Sequence, residues 1–132
     1  MGLDMYAFAV PQPVVGDTQV DLTLPDGVRG MPICAWRKFN HLHGWMERLY
    51  RLKGGTRDFN GDTVRLNLED LTNLEELIQK MVKGEPGLEH TPGFFFGGPT
   101  VYPEDLDTTL TFIADARQAI FRGNAVFYDS WW

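Results

Sequence analysis

Trp36-Arg37-Lys38-Phe39-Asn40-His41-Leu42-His43-Gly44-Trp45 is the stretch on whose reading the fold turns. At about 100° per residue, a helix over 35–53 spreads Trp36, Phe39, Leu42, Trp45, Met46, Leu49, Tyr50 and Leu52 over roughly half of its circumference. A stripe that wide belongs to a helix packed on a core, because a coiled-coil seam is narrower. Arg37, His41, Gly44, Arg48 and Arg51 fall on the opposite side, which predicts a basic ridge. His43 falls inside the apolar face, between Tyr50 and Trp36, with Asn40 and Glu47 at its margin. A neutral imidazole there needs a hydrogen-bond partner, since an unpaired buried polar group costs about 1–3 kcal/mol.

Outward from this helix, residues 2–10 alternate in the manner of a strand stopped by Pro11 and Pro13. Residues 19–24 alternate Val20, Leu22 and Leu24 to one side before the Pro25-Asp26-Gly27 turn, which predicts a second strand. After Gly54-Gly55 and the Asn60-Gly61 turn, a short extended piece over 63–66 leads into a helix over 68–82. Asn67 is its expected cap, Leu71, Leu74, Leu77, Ile78 and Met81 its buried stripe, and Gly84 with Pro86 its end. A third helix begins near Pro103, with Glu104, Asp105 and Asp107 where the helix dipole favours acids, and stops at Gly123. Residues 125–132 read as a closing aromatic strand. Segregated strands and helices favour an α+β fold: a small antiparallel or mixed sheet, N- and C-terminal strands included, with about three helices packed on it.

The 132 residues suit one globular domain able to bury a core without staples. Apolar residues at 43% and charged residues at 23% exclude a disordered chain, and no segment is apolar for long enough to span a bilayer. With no basic segment followed by an apolar stretch at the N-terminus, and Cys34 as the sole cysteine, a reducing cytoplasm is the expected location. A net charge of −6 makes the protein acidic and argues against general nucleic-acid binding. The charge is unevenly placed: between Arg37 and Arg57 six basic residues face Glu47 alone, leaving +5 there and −11 elsewhere. A basic ridge on an acidic body suits a small anionic ligand or an acidic protein surface, and equally a solvated helix face bridged to acidic neighbours.

Nine of the twenty residues from Gly84 to Pro103 are Gly or Pro, and Phe94, Phe95 and Phe96 sit among them. Long irregular connections are uncommon unless they bind something or are disordered, and three adjacent rings do not stay in water, so this segment is a short central strand, a loop tucked over the core, or a pocket wall together with Trp36, Asn40 and His43. The remaining motifs are weak. His41 and His43 point about 200° apart on a helix, so no metal site is expected even with His90 near. Asp58-x-Asn60-x-Asp62 imitates a calcium loop but carries Thr63 where the turn requires glycine. No Walker sequence, nucleophile elbow or dinucleotide fingerprint is present, and no cofactor is expected. Cys34 reads as a small packed residue.

Gly2-Leu3-Asp4-Met5-Tyr6, Trp36-Arg37-Lys38-x-Asn40-x-x-His43-x-Trp45, Thr91-Pro92-Gly93-Phe94-Phe95-Phe96-Gly97, Asp105-Leu106-x-x-Thr109 and the terminal Ser130-Trp131 occur in this order over most of the chain. In this the chain resembles a family of small uncharacterised phage and prophage proteins. The resemblance implies an accessory protein of the host cytoplasm and transfers no catalytic residue. The expectation is a non-catalytic binding protein that recognises an anionic ligand or a host or phage protein. Its surface would comprise Arg37, His41, Arg48, Arg51, Trp36, Phe94, Phe95 and Phe96. The alternative is a small hydrolase or transferase acting on a phosphorylated metabolite, with His43 as general base, Asn40 or Glu47 orienting it and Arg37 holding the anion.

Overall fold

The two ends of the chain meet in the middle of one sheet. The computed structural model describes residues 2–93 and 96–132, so Phe94 and Phe95, expected in the binding loop, lie outside the described residues. Strands β1 (Asp4–Pro11), β2 (Met31–Arg37), β3 (Val64–Leu66) and β4 (Asn124–Trp131) pair antiparallel in the order β2-β1-β4-β3. β1 and β4 are central, in register from Asp4 opposite Trp131 to Pro11 opposite Asn124. Helices α1 (Gln12–Val15), α2 (Asn40–Leu52), α3 (Leu68–Val82) and α4 (Pro103–Phe121) complete an α+β fold.

Period-two alternation divides the apolar residues between the two sheet faces. Met5, Ala7, Trp36, Val64, Leu66, Val126 and Tyr128 face one core with Phe39, Leu42, Met46, Leu71, Leu74, Ile78, Phe112 and Ile113 from α2, α3 and α4 and their flanks. On the other face Val10, Ala125 and Phe127 pack with Val15, and Phe8, Leu22, Leu24 and Val28 close over them. The helix ends follow the expected chemistry. Asp70 accepts the Asn67 backbone N–H at 2.8 Å and the Lys53 ammonium at 2.6 Å, tying the end of α2 to the start of α3. Pro103 opens α4, with Glu104 and Asp105 in its first turn.

Two expectations are corrected. The helix of 35–53 begins only at Asn40, because Ala35, Trp36 and Arg37 pair with Tyr6, Met5 and Asp4 as the end of β2. Lys38 makes the break: its φ is 57°, its N–H donates to the Leu3 carbonyl at 2.8 Å, and the chain reverses into α2. Trp36 thereby packs edge-on against Phe112 with ring centroids 5.0 Å apart. The strand expected over 19–24 is reduced to one bridge, Val20 to Val64, since Asp21 at φ 54° breaks the extended run. Leu22 and Leu24 instead cover the second face, and the second strand of the sheet comes from 31–37.

Candidate functional site

The first turn and a half of the exposed face expected for α2, at His41 and Gly44, is covered by the 84–103 connection, and four residues of the opening motif explain how. Asn40, at the first position of α2, is buried and uses its whole carboxamide on that loop. Its Nδ2 donates to the carbonyls of Phe96 (3.2 Å) and Gly98 (2.9 Å). Its Oδ1 accepts the Thr91 N–H at 2.9 Å and lies 3.0 Å from His90 Nδ1. One turn on, Gly44 has no side chain because Thr91 lies against it; a Cβ there would overlap the threonine side chain. The ring of His43 packs edge-on against Phe96 at 5.0 Å and tilted over Phe59 at 5.3 Å. Gly97, at φ 90°, runs close under Lys38.

His43 has the partner its position demands: Nδ1 lies 2.8 Å from the Tyr128 hydroxyl. Burial holds its pKa down at about 4, so the ring is neutral at pH 7. It is enclosed by aromatic rings, and none of the five main cavities is lined by His43 or Arg37. Arg37 stands at the far end of β2, 3.5 Å from Asp4 in an exposed ion pair. Glu47 pairs with Arg51 at 3.1 Å, and Asn40 is spent on the loop. The arrangement required for His43 as a general base acting beside an Arg37 anion clamp is therefore not assembled here.

The basic ridge is likewise dispersed. Arg37 belongs to β2, His41 and Gly44 are buried under the loop, and Arg51 is bridged to Glu47. Arg48 stays exposed on α2. Lys53 and Arg57 are bound to acids, the former to Asp70 and the latter 3.7 Å from both Asp21 and Asp62. The Asp58–Asp62 run serves as a chain anchor: Asn60 clasps the Trp132 backbone through Nδ2 (2.7 Å) and Oδ1 (3.0 Å). Trp36 is buried in the core and donates its indole N–H to Thr109 Oγ1 at 3.1 Å. Cys34 is half-buried, and burial raises its thiol to about 11, far from a thiolate nucleophile.

What the fold does assemble is a cavity of about 450 Å³ at the base of the loop. Met81 at the end of α3, Leu88 and Val101 in the loop, and Leu106 in the first turn of α4 supply apolar walls, and Gly87 lets the loop backbone come close to α3. His41 forms part of the lining although only 4% of the residue is exposed, and its Nδ1 is buried with no hydrogen-bond partner among the described residues. Burial, then the neighbouring His90, lower its pKa, with the Pro99 backbone pulling the other way. The His41 and His90 rings lie 5.6 Å apart, while His43 faces Tyr128 on another side of α2. Among the described residues no group of three or more His, Cys, Asp or Glu side chains is placed to hold a metal ion. No helix among them is long and apolar enough to cross a membrane.

No protein-family model, curated protein or solved structure matches this chain. Among the described residues expected at a binding site, only His41 lines this cavity, and Phe96 supports the loop beside it. Met81, Glu85, Leu88, Val101, Leu106 and Asp107 were not foreseen. The Gly and Pro density of 84–103 marked the right segment, but the rest of the wall comes from α2, α3 and α4 once the loop is docked.

Proposed function

We propose that this chain is a small non-catalytic binding protein, of the phage accessory type its sequence resembles, working in the host cytoplasm and holding a small ligand in the cavity under the 84–103 loop. The observation that supports this reading is the cavity itself, about 450 Å³, walled by Met81, Leu88, Val101 and Leu106, with the buried His41 in its lining and the carboxylates of Glu85 and Asp107 beside it. A pocket of this size with apolar walls and a few polar groups is the common form of a small-molecule site. Against catalysis stands that no Ser, Thr, Cys or Lys among the described residues lines the cavity beside His41, and that His43, the histidine expected as a base, is enclosed elsewhere. The dispersal of the basic ridge favours a pocket ligand over an anion bound on α2. The test is a fragment titration read at the methyl groups of Met81, Leu88, Val101 and Leu106. Saturable shifts confined to these methyls support the reading, and shifts at β2 or α2 surface residues instead would reject it.

A further inference from the structure

Resting on that reading of the cavity as the binding site, we infer that its ligand is a small amine: an apolar, ring-sized body carrying one ammonium group. The walls set the body. Met81, Leu88, Val101 and Leu106 leave about 450 Å³, room for one or two fused rings. The rim sets the charge. Apart from His41, the ionisable residues lining the cavity are Glu85 and Asp107, both acids, and no Lys or Arg among the described residues lines it. A carboxylate or phosphate entering here would meet two like charges and no cation, whereas an ammonium group meets two carboxylates. The ring of His41 closes the inner wall with its Nδ1 buried, so polar recognition falls to the two carboxylates.

Three near-isosteric probes separate the body from the charge: tryptamine, tryptophol and indole-3-acetate, titrated calorimetrically and by methyl NMR. Tryptamine should bind about fivefold more tightly than tryptophol, the scale of exposed ion pairs, and indole-3-acetate most weakly. Glu85→Gln combined with Asp107→Asn should erase the tryptamine lead while leaving tryptophol unchanged, since both acids are exposed and their amides keep the shape. Indole-3-acetate binding as tightly as tryptamine, or a tryptamine lead that survives the double amide variant, overturns the amine assignment and leaves the pocket standing. If none of the three probes shifts the methyls of Met81, Leu88 and Leu106, the pocket reading fails and the amine assignment with it.

Discussion

Tyr128 on β4 sets its hydroxyl 2.8 Å from Nδ1 of His43 on α2, joining the helix to the centre of the sheet inside a shell of aromatic rings. Tyr128→Phe removes the partner and leaves the imidazole nitrogen stranded. The expected cost is about 1–3 kcal/mol, read as a lowered urea midpoint with unchanged slope. A midpoint equal to wild type would mean that the contact contributes nothing.

The same histidine makes stability depend on pH. Its folded pKa of about 4 lies below the ordinary 6.5, so the unfolded chain binds the extra proton between these values. The stabilisation is therefore complete above about 6.5 and is lost as pH falls towards 4, up to about 3 kcal/mol. Asp129, raised by burial from 3.8 to about 6, acts in the opposite sense: its ionisation weakens the fold above that range, and the penalty is relieved on acidification. Asp129→Asn should thus steepen the stability loss between pH 6 and 4. An equal change in stability between pH 7 and 4.5 for wild type and variant would contradict the Asp129 assignment, and no loss on acidification in the variant would contradict that of His43.

Gly44 and Thr91 form a steric pair. Gly44→Ala should destabilise by about 1–3 kcal/mol, the usual penalty for overpacking. Thr91→Gly in the same chain should restore part of that loss, giving a coupling energy in a double-mutant cycle. Strict additivity would show that the loop does not rest on α2 at this point.

Phe39, only 1% exposed in the main core, should cost about 3–5 kcal/mol when replaced by alanine. The triple Arg37→Ala, Arg48→Ala, Arg51→Ala variant should lose no more than about 0.5 kcal/mol per site, because the ion pairs of Arg37 and Arg51 are exposed. Circular dichroism melts of the two variants separate core from surface directly.

Elements held by local chemistry were legible in the chain. The 68–82 helix carries its cap and stop in its own residues, and the terminal strands carry their alternation, so both stand where expected. The demand of His43 for a partner was legible too, though not the identity of Tyr128, which lies 85 positions away. Legibility ended where tertiary pairing overrode periodicity. Trp36 and Arg37 fit the helical pattern of 35–53, but pairing with β1 takes them into a strand, and a left-handed Lys38 is not announced by its residue type. The ridge failed for a related reason: helical spacing places His41 beside Arg48 but cannot show that a loop fifty residues later covers it.

The most direct test of the loop pocket compares wild type with Asn40→Ala, which deletes every side-chain hydrogen bond from Asn40 to the 90–98 segment. Both proteins are titrated with tryptamine and tryptophol while the methyls of Met81, Leu88 and Leu106 are followed. Saturable shifts in wild type, weakened about tenfold or more in the variant while it remains folded, are the predicted result. Equal binding by both proteins, or no saturable shift at these methyls in wild type, would contradict it.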